Sequence, residues 1–155
     1  MTLKDTIRAI EVVAAGQPAI HMIVRNDIFR LNKVADARYG VFAWLQNQHT
    51  REMGSSLINY SFTFFYADRL TNDRSNEIDI QSVGISTLDN ILRRLEEVMA
   101  IDIPVTYTFQ TFNQRFVDEC AGVFCNVVLQ VPVDGICGED FGDFNDDFND
   151  DFLIY

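Results

Sequence analysis

The chain has 155 residues, of which 48% are hydrophobic and 23% charged, a composition typical of a single globular domain. Its formal net charge is -11, and it has no basic cluster that would hold nucleic acid by neutralising phosphates. The N-terminal residues lack the long apolar run of a signal peptide, and no stretch of about 18 apolar residues predicts a membrane span.

The N-terminal segment has the pattern of an amphipathic helix. Thr2 and Asp5 have the spacing of a capping box, and Gly16 marks the end of the helix. Apolar residues recur at helical intervals at Leu3, Ile7, Ile10 and Ala14. The β-branched run at 19–26 then predicts a first strand, whereas residues 27–38 show no clean period and are assigned as irregular.

Two strands with stronger patterns follow. Residues 39–48 are apolar and aromatic between polar flanks, and residues 57–68 alternate with a period of two, which predicts one face against a core. The alternating row is Ile58, Tyr60, Phe62, Phe64 and Tyr66. The loop between the strands, 49–56, is polar and long for a hairpin. We predict that this loop contacts a binding partner through Arg51 and Glu52.

After residue 69, the chain repeats the order of a helix followed by strands. After a turn at 70–76, a helix is predicted between Glu77 and Met99, and its first half is weakened by Gly84. Its apolar stripe is Leu88, Ile91, Leu92, Leu95 and Val98. Strands at 105–116 and 122–133 follow, with VDECAG turning the chain between them. This order predicts an α+β domain over residues 1–137, in which an antiparallel β-sheet packs against helices.

The C-terminal segment 138–155 differs from the body and is treated as an acidic arm. It holds seven of the 23 acidic residues and no Lys or Arg, so the body carries 16 acids against 12 bases. Its predicted partner-binding residues are four phenylalanines: Phe141, Phe144, Phe148 and Phe152. A helix or an extended peptide would each align rings at this spacing. The alternative is a disordered acidic end that aids solubility.

The sequence contains no convincing catalytic set, and neither a cofactor nor a metal is predicted. His21 falls in a predicted strand and is interpreted as structural, and His49 lies in the polar loop and is interpreted as a contact. The three cysteines are odd in number and have no paired spacing, which favours buried thiols in a reducing compartment. They are Cys120, Cys125 and Cys137.

The arm partly matches a calcium-binding loop. Asp143, Asn145 and Asp147 have the spacing of the first three EF-hand ligands. Phe148 stands where that loop needs glycine, and Ile154 stands where it needs glutamate. The match therefore fails at both defining positions.

In their order and in their pattern of apolar and polar residues, several segments resemble the tail-terminator and neck-ring proteins of tailed bacteriophages. The segments are YSFTFFYADRL, LDNILRRL, TYTFQTFNQRF and GVFCNVVLQVP. With FFYADRLTNDRSNE added, the chain is most similar to small virion proteins of crAss-like phages that infect gut Bacteroides. The resemblance covers about residues 3–133, and the acidic arm lies outside the general family pattern.

The resemblance implies a structural subunit of a head-to-tail connector in the phage neck or tail. Such subunits form rings of six or twelve copies that join the portal to neighbouring neck or tail proteins, and DNA passes through the lumen without specific binding. The protein would wait in the host cytoplasm before assembly into the virion. Ring closure needs head-to-tail contacts, which we expect at the sheet edges, the 27–38 segment and the 49–56 loop.

Two other classes of function stay open at this point. The chain could be a soluble acidic adaptor or inhibitor that binds a host protein through its C-terminal arm. It could also be a small enzyme that uses Asp and Glu with a bound metal, although no ligand spacing supports this. Deleting residues 138–155 would abolish binding by an adaptor, and chelators would abolish the activity of a metalloenzyme.

Overall fold

The computed structural model describes residues 1–33, 38–52, 54–101, 103, 107–115, 118–132 and 153–154. The predicted α+β class is confirmed: two helices pack against one mostly antiparallel sheet. The helices are α1 (Leu3–Ala15) and α2 (Glu77–Met99). The strands are β1 (Met22–Arg25), β2 (Val41–Gln46), β3 (Leu57–Arg69), β4 (Phe109–Arg115), β5 (Glu119–Pro132) and β6 (Leu153–Ile154).

α1 begins with the capping box that the sequence predicts. The Asp5 amide donates to Thr2 Oγ1 at 3.2 Å, and the Thr2 amide donates to Asp5 Oδ2 at 2.8 Å. Each residue thereby satisfies an amide that the first turn of a helix leaves without a partner.

A buried carboxylate fixes α1 to the sheet. Glu11 is only 4% exposed, and Arg25 of β1 binds both of its oxygens, at 2.5 and 2.6 Å. The indole Nε1 of Trp44 on β2 donates to the same carboxylate at 3.3 Å. A buried charge is tolerated when it is paired and hydrogen-bonded in this way, so this polar contact sets the position of α1 over β1 and β2.

The strand order is β4-β5-β3-β2-β1-β6. β4, β5, β3 and β2 pair antiparallel, and β3 with β5 forms a ladder of thirteen residue pairs. The sheet is mostly antiparallel, as predicted, and departs from this at one side, where β1 pairs parallel with both β2 and β6. The reason is that fifteen residues separate β1 from β2, which leaves enough chain for the crossover that parallel neighbours need.

The aromatic row of β3 faces the helices, as its alternation predicts. Phe62 and Phe64 are fully buried, and the Phe64 ring lies 5.4 Å from that of Phe42 on β2. The apolar stripe of α2 covers this face together with α1. Gly84, which weakens the predicted first half of α2, lies where a Cβ atom would be 2.9 Å from the Tyr66 ring. The glycine therefore permits close packing of helix on strand.

The opposite face of the sheet carries a second, smaller core. Met22 and Val24 of β1 pack there with Ile28, which begins a 3₁₀ helix at Ile28–Lys33. The segment assigned as irregular thus contains a short helix that covers β1 and β2. Farther along this face, Phe65, Phe112 and Phe124 form a partly buried ring cluster with centroids 5.8 to 6.3 Å apart.

Several predicted boundaries differ from the structure. β1 is shorter than the 19–26 run, and β5 begins at Glu119, so part of the segment VDECAG is strand and not turn. The long ladder with β3 explains the second difference, because Cys120, Ala121 and Gly122 pair with the end of β3. β6 was not predicted: the acidic composition of the arm hides a two-residue strand that pairs with β1.

Candidate interaction surface

The described residues include one polar cluster of the kind that could suggest chemistry. Tyr39 donates its hydroxyl to Asp118 Oδ2 at 2.7 Å, and Arg69 pairs with the other carboxylate oxygen at 3.1 Å. Cys120 is fully buried beside them, and burial raises the pKa of its thiol to about 11. A thiol that stays protonated at neutral pH is a poor nucleophile, so the cluster does not form a nucleophilic site. It instead joins the residues just before β2 and β5 to the end of β3.

Both histidines have structural positions. His49 Nδ1 accepts a hydrogen bond from the Ser61 amide at 3.2 Å, and its ring lies 5.2 Å from Tyr60. This histidine therefore anchors the 49–56 loop to β3. His21 is exposed and precedes β1, and its amide donates to the carbonyl of Gly40 at 2.8 Å. Within the described part of the chain, no group of three His, Cys, Asp or Glu residues could hold a metal ion.

The two predicted contact residues of the loop lie together on the surface. The Arg51 guanidinium donates to the Ser55 carbonyl at 3.2 and 3.3 Å, and the Ser55 amide donates to the Glu52 carbonyl at 3.1 Å. Both side chains are exposed. Arg51 therefore holds the loop in shape, and its role toward a partner remains a prediction. The four arm residues, Phe141, Phe144, Phe148 and Phe152, lie outside the described residues.

β4 is the terminal strand on one side of the sheet and has no outer neighbour among the described residues. An edge strand directs alternate backbone amides and carbonyls outward, where another strand can pair with them. Proteins commonly protect such edges with charged side chains, especially lysine, or with proline; β4 has no lysine or proline, and its one charged residue, Arg115, is at its end. Gln110, Thr111 and Asn113 are exposed neutral polar residues. This edge is therefore chemically suited to strand addition.

α2 places apolar side chains beside that edge. Asn113 of β4 donates to the Glu77 carboxylate at 2.7 Å, and the Tyr107 hydroxyl donates to Asp89 at 2.7 Å. Burial, together with this hydrogen bond, raises the pKa of Tyr107 to about 12. Between these two contacts, Ile78 and Ile85 lie on the same helical face at an interval of seven residues. Ile78 is 74% exposed and Ile85 is 39% exposed.

These two isoleucines lie on the part of α2 that is hydrogen-bonded to β4 through Asn113 and to Tyr107. Together with the open β4 edge, we call them the β4 edge surface. Sequence reasoning missed it, because Ile78 and Ile85 lie in the half of α2 with the weaker helical pattern. Their separation of seven residues, outside the buried stripe of the helix, was the available signal. The composition of β4 was a second signal, since this strand contains neither lysine nor proline.

No protein-family model matches the chain, and no curated protein matches it. Neither helix, within the described residues, is long and apolar enough to cross a membrane.

Proposed function

We propose that this protein is a structural subunit of a homo-oligomeric ring in the neck or tail of a tailed bacteriophage. The assignment to a virion comes from the sequence resemblance over residues 3–133. The observation that supports the ring is the β4 edge surface, where an edge strand without lysine or proline, and without an outer neighbour among the described residues, lies beside exposed isoleucines.

A ring needs two different complementary surfaces on each copy, because head-to-tail contacts close only when one patch meets another. The β4 edge surface supplies one patch. The surface that receives it would lie at the opposite side of the sheet, around β1, β6 and the 3₁₀ helix. There, Phe29 is 52% exposed and lies next to Ile28, which packs on β1. Both patches include exposed apolar side chains, as subunit contacts do.

The charge of the body is compatible with a channel for DNA. Sixteen acids against 12 bases make residues 1–137 mildly acidic. A lumen of this sign repels the phosphate backbone and so does not retain the DNA that passes through it. The copies would join to the portal on one side and to neck or tail proteins on the other.

Native mass spectrometry of the full chain tests the proposal. We expect a closed species of six or twelve copies. Ile78→Lys with Ile85→Lys should convert it to smaller species, because each subunit contact would bury two unpaired ammonium groups. Val83→Lys is the matched control, since Val83 is 43% exposed on the other flank of the same helix. A chain that stays monomeric at every concentration, or a ring that the double variant leaves intact, would contradict the proposal.

A further inference from the structure

The ladder between β2 and β3 is irregular just beyond the end of β2. Gln46 pairs with Phe62 in the regular ladder, and nearer the loop Thr50 and Asn59 form a bridge in which each amide donates to the other residue's carbonyl, at 3.1 and 2.8 Å. Between these two pairs, three residues of the first segment stand opposite two of β3, which is the count of a β-bulge. A bulge disrupts the ladder locally, so backbone groups there need other partners.

An imidazole completes the ladder at this bulge. The Ser61 carbonyl accepts from the Asn47 amide at 2.9 Å, but the Ser61 amide donates to His49 Nδ1 at 3.2 Å. The side chain of His49 therefore stands where a regular ladder would place a carbonyl oxygen. A ring nitrogen accepts a hydrogen bond only while it carries no proton, so this link needs the neutral imidazole with its proton on Nε2.

Two titratable groups lie on this side of His49: Tyr60 of β3, whose ring is 5.2 Å away, and, near Tyr60, Asp5 of α1. Burial, and after it the charge of Asp5, raises the pKa of Tyr60 above its usual value. Hydrogen bonds from Thr2 hold the pKa of Asp5 below its usual value. Tyr60 therefore stays neutral and Asp5 stays ionised between about pH 5 and 8, the range in which histidine ordinarily gains its charge. The second ring against His49, that of Phe62 at 5.9 Å, carries no charge.

The loop itself adds two exposed charged side chains, Arg51 and Glu52, and the Arg51 guanidinium donates to the Ser55 carbonyl. Acidification through the histidine range places a proton on the nitrogen of His49 that has to stay free. Both ring nitrogens of a charged imidazole are donors. The Ser61 amide would then face another N–H group instead of an acceptor, and the link would be lost.

We propose that His49 is a pH-sensitive latch for the loop between β2 and β3. The neutral imidazole completes the ladder at Ser61 and holds the loop on the sheet, whereas protonation removes the acceptor and releases the loop together with Arg51 and Glu52. β2 and the β3–β5 ladder stay in place, because regular backbone pairs hold them. The latch operates within one chain, so it does not depend on ring formation.

NMR of the unaltered full chain tests the latch. At neutral pH, nitrogen-15 shifts of the imidazole should show His49 as the tautomer protonated at Nε2. The protection factor of the Ser61 amide, which corrects for the intrinsic pH dependence of exchange, should fall about three- to ten-fold on acidification to about pH 5, as expected for one lost hydrogen bond. The Thr63 amide is the internal control, because Thr63 pairs with Leu45 in the regular ladder. The other tautomer, an unchanged protection factor at Ser61 or an equal fall at Thr63 would overturn the proposal.

Histidine variants then assign the pH dependence to one residue. His49→Asn keeps an acceptor oxygen at the δ position and does not titrate in this range, so Ser61 should stay protected at both pH values. His49→Leu removes the acceptor, so protection should be low at both. His21→Asn is the matched control, because it removes the chain's other histidine, which is exposed just before β1, and should leave the pH dependence intact. A pH dependence that persists in His49→Asn, or that disappears in His21→Asn, would assign the effect to another group and refute the latch.

Discussion

At the scale of single residues, Thr2 and Asp5 show how a local sequence signal becomes a measurable interaction. Both the hydroxyl and the backbone amide of Thr2 donate to Asp5 Oδ2, at 2.6 Å and 2.8 Å respectively. These hydrogen bonds, that of the hydroxyl first, hold the pKa of Asp5 below its usual value. A carboxylate whose pKa is lower in the folded state than in the unfolded state stabilises the fold. The stabilisation is fully present at a pH above the pKa of the unfolded state, which is about 3.9 for Asp. It is lost as the pH falls through the pKa of the folded state.

We therefore expect Thr2→Ala to lower the free energy of unfolding by about 1 kcal/mol at neutral pH, a typical loss for a helix cap. The loss should shrink at a pH well below the pKa of Asp5, because a protonated carboxyl no longer accepts both hydrogen bonds. Urea unfolding at the two pH values measures it. Ser82→Ala, at an exposed position in α2, is the control. An equal loss at both pH values would contradict this account.

At the scale of elements, the packing of α2 on β3 and β5 depends on the missing side chain of Gly84. A Cβ atom there would lie 2.9 Å from the Tyr66 ring and 3.0 Å from Val123 Cγ2. Both neighbours are buried, at 2% and 0% exposure. Helix propensity favours alanine over glycine by about 1 kcal/mol, but overpacking a core costs about 1 to 3 kcal/mol.

Gly84→Ala should therefore destabilise the protein by up to about 2 kcal/mol in spite of its better helix propensity. Val123→Ala removes the methyl groups nearest to the new Cβ atom. We expect the double variant to be more stable than the sum of the two single changes predicts, because residues in contact are not additive. Chemical denaturation of the four proteins of this cycle measures the coupling. Strict additivity, or a stabilising Gly84→Ala, would contradict tight packing at this point.

At the scale of the whole molecule, the sheet has a strong centre and a weak side. Among the residues that the structure describes, thirteen pairs join β3 to β5, and two join β1 to β6. Each ladder pair protects backbone amides from exchange with solvent, and short elements open at lower cost than the core of a sheet.

Deleting residues 153–155 should speed amide hydrogen exchange in β1 and leave β3 and β5 unchanged. Native-state exchange followed by mass spectrometry of peptides measures this, with the peptides of β3 as the internal control. Loss of protection across the whole sheet would contradict the prediction, because it would mean that β6 stabilises the entire domain.

Much of the fold could be predicted because its signals are local. Each of three signals lies within a short stretch of chain: the capping box of α1, the alternation of β3 and the apolar stripe of α2. Burial of one face of a helix or strand makes its apolar residues recur with the period of that element. The edge character of β4 and the exposure of Ile78 and Ile85 are different. They depend on which strands pair and on how α2 lies across them, so the spacing of Ile78 and Ile85 could not by itself place these residues beside an open edge.

The sequence by itself determined the α+β class, the approximate bounds of its elements and the acidic, phenylalanine-containing arm, because hydrophobic period and turn residues act over short distances. Only the tertiary structure decided the parallel pairing of β1, the end of the arm in β6 and the open edge at β4. These features result from backbone pairing between strands, such as the register of Met22 with Leu153. The paired residues are far apart in the chain, and backbone groups of any residue type can form such pairs.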